Sequence, residues 1–229
     1  MTVYEELREP GGIMLYGIPE FCMCKEVVRR GGALIEAMGA KFVTGCMVGP
    51  DITVDQMMEQ GADAVFIGTG TAVSRELDLP GKELEGVIQS SYLLRMNALH
   101  NEGQLGRDEV PVKPGDRVLV IGAGNVGIDA ARTAVRLGAA QVTVVYRGTQ
   151  EKMPALASEY EAALADGVQF RWQTTPVAYE GEAGHFTALL AEESGAEKKL
   201  PADKLFLAVG SRPANRIVST TEGIEVDEG

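Results

Sequence analysis

The stretch Arg117-Val118-Leu119-Val120-Ile121-Gly122-Ala123-Gly124-Asn125-Val126-Gly127-Ile128-Asp129 constrains the fold more than any other part of the chain. Residues 117–121 are mostly β-branched and apolar, the composition of a strand buried on both faces. Gly122, Gly124 and Gly127 then follow in the spacing Gly-x-Gly-x-x-Gly. In a strand-turn-helix unit the first glycine permits the tight turn, the second lets a pyrophosphate approach the backbone, and the third lets the helix pack close to the strand. The helix that begins here offers unpaired N–H groups and a partial positive charge to phosphate. Residues 126–137 have helical spacing, Gly138 stops them, and a second apolar strand follows at 142–146, which is the context a dinucleotide site requires. The bland alternative is a glycine-rich strand-helix turn that binds nothing.

The end of the second strand selects the nicotinamide cofactor. An acid there accepts hydrogen bonds from the ribose 2′-hydroxyl of NAD. This strand ends in Tyr146-Arg147, and no acid occurs before Glu151. A guanidinium holds a 2′-phosphate as a charge-assisted fork, which favours NADP and leaves NAD as the alternative. An arginine solvated beyond a strand is the competing reading.

Strands expected at 2–5, 41–44, 64–67, 168–172, 186–191 and 204–209 alternate with helices expected at 25–38, 55–60, 87–101 and 155–165. The alternation implies an α/β fold with a mostly parallel sheet. Residues 102–115, rich in glycine and proline, form the best linker. With 33 acidic and 21 basic side chains the net charge is −12, so no phosphate-neutralising excess exists for a nucleic-acid surface. No apolar run spans a bilayer. Thr2-Val3-Tyr4-Glu5-Glu6 is no signal segment, and three cysteines make no disulfide framework; a reducing cytoplasm follows as the expected compartment.

Cys22 and Cys24 lack the Cys-x-x-Cys spacing of a dithiol reductase and read as buried structural thiols. The cysteines, His100 and His185 show no metal-ligand spacing, so no metal is expected. His185 reads as a turn or surface residue. Asp129 orders the glycine loop or complements the helix dipole. Arg132 and Arg136, one turn apart, read as a solvated face, and the acidic residues of 180–197 as a surface hairpin or loop edge.

Several segments together resemble the glutamate synthase small-subunit family: Pro10-Gly11-Gly12-Ile13-Met14-Leu15-Tyr16-Gly17-Ile18-Pro19-Glu20-Phe21 with Lys25-Glu26-Val27-Val28, then Phe66-Ile67-Gly68-Thr69-Gly70, 122–132, Val144-Val145-Tyr146-Arg147, Met153-Pro154-Ala155 and Ala208-Val209-Gly210. The resemblance covers essentially the whole chain. It implies a flavoprotein with one Rossmann-like domain for FAD and a second, inserted into it, for NADPH. Hydride would pass from NAD(P)H to FAD, and electrons onward to iron-sulfur clusters and a large synthase-type or ferredoxin-linked partner subunit.

Carried onto this chain, the resemblance places Gly122, Gly124, Asn125, Val126 and Gly127 at the NADPH pyrophosphate and Arg147 at the 2′-phosphate. Glu159 would lie near the nicotinamide half. Glu5 would bind the flavin's adenosine ribose, with Gly11, Gly12, Gly17, Ile18 and Pro19 along the flavin and Gly70 and Gly210 completing the cofactor contacts. It further implies a partial FAD-binding domain at 1–105, an NAD(P)-binding Rossmann-like domain at 106–206 and a return segment at 207–229. No strand-glycine-helix turn precedes Glu5, so FAD is expected in the intact enzyme and only poorly on this chain.

The chain departs from the family pattern at Gly127, where alanine is usual, at Gly148, where a second arginine is usual, and at Cys22-Met23-Cys24, which replaces arginine-leucine-proline. Hydride transfer between cofactors needs no side-chain acid or base, so no catalytic residue is nominated. The alternatives are a non-catalytic nucleotide-binding or interaction module and, less favoured, a dithiol reductase.

Overall fold

In chain order the elements are β1 (Thr2–Glu5), α1 (Gly12–Tyr16), α2 (Lys25–Ala37), β2 (Lys41–Thr44), α3 (Val54–Glu59), β3 (Val73–Ser74), β4 (Val87–Gln89), α4 (Ser90–Asn101), β5 (Arg117–Ile121), α5 (Asn125–Arg136), β6 (Gln141–Val145), α6 (Ala157–Ala165), β7 (Gln169–Arg171), β8 (Thr174–Glu182), β9 (His185–Glu193), β10 (Ala196–Pro201), β11 (Lys204–Leu207) and β12 (Ser211–Arg212). The structure is a computed structural model describing residues 1–71, 73–214, 217–218 and 221–225. The chain divides into two units, one made of Met1–Leu15, Met23–Ser74 and Ser211–Gly229, the other of Tyr16–Cys22 and Arg75–Gly210.

The second unit explains why residues 117–121 are apolar throughout. Its sheet is parallel, in the order β4-β11-β5-β6-β7, and both faces are covered. Val118 and Val120 of β5 pack with Leu93, Leu94, Ile128, Ala130, Ala131 and Ala134 of the helical layer. Leu119 and Ile121, the alternate residues, pack with Tyr179, Phe186, Leu189, Ala191 and Leu200 of a three-stranded antiparallel sheet, order β10-β9-β8. The stretch 180–197, expected as a surface hairpin or loop edge, runs through β8, β9 and β10, and its inward residues close one side of the core.

Two segments differ from expectation here. Residues 87–89 form a strand where a helix from 87 was expected, because Val87, Ile88 and Gln89 stand in register with Leu205, Phe206 and Leu207. The 102–115 stretch does not separate units. Val110 and Val112 are fully buried, and Arg107 Nη1 and Nη2 donate to Val112 O and Leu137 O at 2.7 and 2.9 Å. The junctions between units fall at Leu15/Tyr16, Cys22/Met23, Ser74/Arg75 and Gly210/Ser211, where the resemblance implied 105/106 and 206/207.

In the first unit β1 and β2 form a parallel pair, Thr2 opposite Lys41 through Glu5 opposite Thr44. β3 and β12 pair antiparallel. The strand expected at 64–67 is absent: no described strand pairs with it and Phe66 is 94% exposed. An apolar run needs a ladder partner to become a strand, and none adjoins it. Residues 226–229 of the expected return segment lie outside the described residues. No helix among the described residues is long and apolar enough to cross a membrane.

Candidate functional site

Gln89, Leu207, Ile121, Val145 and Arg171 lie side by side across the parallel sheet. The carboxyl ends of the strands thus open on one edge. From β5 the connection runs through β6 to β7 in one direction, while β11 returns on the other side of β5. The gap between β5 and β11 is the switch point at which open α/β sheets bind ligands. The glycine turn sits there.

Each glycine of the turn has its own physical reason. Gly122 has φ +114°, and a Cβ on it would overlap Ala208 O, the carbonyl just after β11. A Cβ on Gly127 would overlap Gly122 O, so this glycine lets α5 seat on the turn. Gly124 is different. Its φ is −86°, which any residue adopts, and a Cβ there would meet nothing within 4 Å. Nothing in the protein requires glycine at 124; the bare backbone faces open space at the head of α5. The first intrahelical bond of α5 runs from Ile128 N to Gly124 O at 3.0 Å, leaving the N–H groups of 125–127 without helix acceptors.

The turn 153–156 walls the same opening. Ala155 N donates to Ala123 O at 3.2 Å, and Leu156 N donates to Asn125 Oδ1 at 3.2 Å. Asn125 thereby spends its side-chain oxygen on holding that turn. Val126 and Leu156 beside it are 42% and 62% exposed. Arg147, just past β6, is exposed and forms no ion pair with a described residue.

Glu159 stands on α6 and its Oε2 pairs with Arg132 Nη1 at 2.8 Å. Arg132 is only 11% exposed, and its Nε also pairs with Asp166 at 2.8 Å; Arg136 Nη1 meets the same carboxylate at 2.6 Å. The solvated face expected for these arginines is instead an ion-pair network between α5 and α6. Phe21 lies against it, its ring centroid 4.6 Å from Arg132 Cζ and 4.1 Å from Arg136 Cζ.

Cys22 Sγ donates to Asp129 Oδ1 at 3.4 Å and stands 4.0 Å from Glu159 Oε2. Asp129 therefore receives a thiol, a role its place in the first turn did not reveal. Desolvation, then the Asp129 charge and hydrogen bond, then Glu159, push the thiol up to about 12, with Arg132 acting the other way. Cys22 and Cys24 are exposed, not buried as their apolar neighbours suggested. Cys22, Asp129 and Glu159 hold ligand-type atoms within 4.8 Å of one another, a juxtaposition that the sequence spacing did not reveal. His185 opens β9 on the surface, 3.2 Å from Glu85.

The other expected residues divide between the units. Glu5, Gly11, Gly12 and Gly70 lie in the first; Gly17, Ile18, Pro19 and Gly210 lie in the second. Glu5 ends β1, and its Oε1 accepts from Leu7 N at 2.8 Å. Gly11, Gly12 and Gly70 all have positive φ; a Cβ on Gly11 would also stand 2.7 Å from Leu15 Cγ, whereas Gly12 and Gly70 have open surroundings. Gly210 O accepts from Arg75 N at 2.9 Å.

Comparison with known proteins agrees with this geometry. The chain is 35% identical over 247 residues to a glutamate synthase [NADPH] small chain of Halomonas elongata, spanning 99% of this chain and 52% of that one. It is 33% identical over 251 residues to the putative oxidoreductase AegA of Escherichia coli, covering all of this chain and 38% of the relative. It therefore spans about half or less of these relatives' lengths. Among solved structures, FprA from Mycobacterium tuberculosis in complex with NADPH superposes with a TM-score of 0.76 at 19% identity, covering 93% of this chain and 64% of FprA, a likeness of fold. The family model for pyridine nucleotide-disulphide oxidoreductases matches residues 5–229, and the chain belongs to that family.

Proposed function

We propose that this chain is the nicotinamide-nucleotide-binding portion of a flavin-dependent oxidoreductase similar to the glutamate synthase small subunit. One observation carries the reading: Gly124 is a glycine that neither backbone nor packing demands, at the open head of α5. Backbone N–H groups of 125–127 bind the pyrophosphate, and the α5 dipole supports them. Arg147 takes the 2′-phosphate as a fork. The 153–156 turn, pinned by Asn125, orients the nicotinamide half, with Glu159 behind it. Bound NADPH supplies the hydride; the chain's share is orientation and exclusion of water. In the longer enzyme FAD is the acceptor, with Glu5, Gly11, Gly12, Gly17, Ile18, Pro19, Gly70 and Gly210 as flavin-side contacts, and iron-sulfur centres and a partner subunit follow. Cytoplasmic residence suits this chemistry. The raised thiol of Cys22 speaks against a dithiol reductase, which needs thiolate.

Titrating the purified chain with NADPH and NADH tests the reading. Saturable NADPH binding is expected, with Arg147→Ala weakening NADPH about tenfold or more and NADH little. Absence of saturable binding of either nucleotide would leave only a scaffold.

A further inference from the structure

We infer that Cys22, Asp129 and Glu159 together form a binding site for a thiophilic divalent cation of the zinc class, which ties the turn 19–22 to α5 and α6. The inference is independent of the nucleotide reading above and needs no nucleotide to test it.

The three residues come from three separate segments, so no local ligand spacing announces them. Cys22 N donates to Pro19 O at 3.0 Å and closes a turn. Phe21, in that turn, lies against Arg132 and Arg136 of α5, its ring centroid 4.6 and 4.1 Å from their Cζ atoms. The neighbouring Cys22 is thereby set against the part of α5 that carries Asp129. Glu159 reaches the same place from α6. Its Oε2 is fixed by Arg132 Nη1 at 2.8 Å, and Asp166 binds Arg132 and Arg136 at 2.8 and 2.6 Å. The two helices therefore hold both carboxylates in a defined relative position, and a site whose ligands are already ordered loses little entropy on binding.

The separations suit a tetrahedral metal. Cys22 Sγ lies 3.4 Å from Asp129 Oδ1 and 4.0 Å from Glu159 Oε2, and the three ligand atoms all lie within 4.8 Å of one another. With Zn–S of about 2.3 Å and Zn–O of about 2.0–2.2 Å, a sulfur and an oxygen on one tetrahedral zinc stand about 3.5 Å apart. The two observed S···O separations bracket that edge. The sulfur decides the kind of ion, because magnesium and calcium take oxygen ligands while zinc accepts thiolate with carboxylate. The charges also close. A thiolate and two carboxylates are opposed by the Arg132 guanidinium on Glu159, and a divalent cation brings the sum to zero. Cys22 is exposed and the two acids are partly so, which gives an ion a way in. On binding, the S–H bond breaks, its electron pair forms the sulfur–metal bond, and the proton leaves to water. Three protein ligands leave the fourth tetrahedral position to water.

The test is titration of the full chain, reduced and stripped of metal, with Zn2+ and with Cd2+. The parent is Cys24→Ser/Cys46→Ser, which leaves Cys22 as its one thiol. One Zn2+ per chain is expected to bind and to raise the melting temperature, and Cd2+ in its place should give a thiolate-to-cadmium absorption band in the ultraviolet. Cys22→Ser should abolish the band and weaken zinc about tenfold or more, and Asp129→Asn and Glu159→Gln should each weaken zinc by a similar factor. Melts without metal confirm that each variant folds; where Asp129→Asn melts low, Cys22→Ser and Glu159→Gln carry the decision. If Cys22→Ser holds zinc as tightly as the parent, the ion sits on surface carboxylates and the inference is wrong. If cadmium raises no thiolate band, Cys22 does no more than donate its hydrogen bond to Asp129, and the inference is equally wrong. Failure to bind NADPH would overturn the nucleotide reading and leave the metal site standing.

Discussion

At the residue scale the three glycines of one motif answer to three different neighbours, and this makes their roles separable. Gly122 is held at φ +114° against Ala208 O, and Gly127 against Gly122 O. Gly122→Ala should therefore destabilise the fold by about 1–3 kcal/mol, as backbone strain and overlap add. Gly124→Ala meets no protein atom and should leave the melting temperature within about 1 °C of wild type. Its methyl group points into the space assigned to the pyrophosphate, so NADPH affinity should fall about tenfold or more, which is about 1.4 kcal/mol. A melt and a nucleotide titration on both variants decide it. If Gly124→Ala binds NADPH as the wild type does, the open space at 124 is not where the diphosphate lies.

At the element scale, what could be read from the sequence was what local chemistry specifies. β5, α5 and β6 stood out because a strand buried on both faces is apolar throughout, and because residues 126–137 keep helical spacing up to Gly138. The glycine turn was legible because the spacing of Gly122, Gly124 and Gly127 is itself local; the structure leaves no room for a Cβ at 122 and 127 and open space at 124. β4 was read as the start of a helix because three residues carry no period of their own; only the register with β11 makes them a strand. Residues 64–67 failed in the opposite sense, having strand composition without a neighbour. In the site, the Cys22–Asp129 and Phe21–Arg132 contacts join residues more than a hundred positions apart, and no local signal reports them. α3 shows how far a local signal reaches. Thr53 Oγ1 accepts from Gln56 N at 3.1 Å while Gln56 Oε1 accepts from Thr53 N at 2.9 Å, the reciprocal cap that Thr-x-x-Gln spells. Thr53→Ala should cost about 1 kcal/mol and appear as faster hydrogen exchange in α3, with protection in β5 and β6 unchanged. Equal exchange in α3 would mean the cap contributes nothing there.

For the whole molecule, a net charge of −12 means that long-range electrostatics oppose an anionic dinucleotide, so attraction must come from groups in contact with it. Titration also bounds the pH range of the fold. Asp166 is held below its ordinary 3.8 first by the hydrogen bond from Arg136, and Asp203 below the same value first by that from Arg117. A depressed carboxyl contributes stability above its ordinary value and loses it as pH falls through the folded one. At the alkaline end Cys22 rises from 9.0 to about 12, first by partial desolvation of its thiol within an otherwise exposed residue and then through Asp129, and Tyr179 rises from 10.0 to about 12 by burial. Their protonated forms are favoured in the folded chain, so this contribution is complete below 9.0 and 10.0 and is lost as pH climbs through about 12. The melting temperature should be level from about pH 5 to pH 9 and decline on either side. Tyr179 allows a sharper test, because its hydroxyl is buried in the core beside the antiparallel sheet with no hydrogen-bond partner among the described residues. Tyr179→Phe removes an unpaired polar atom and should raise stability by about 1 kcal/mol at neutral pH. It also removes one of the two alkaline titrations, so the decline above pH 10 should become shallower. A variant that melts lower than wild type at pH 7, with the same alkaline decline, would show that the hydroxyl is hydrogen-bonded in solution and that its burial is not what moves it.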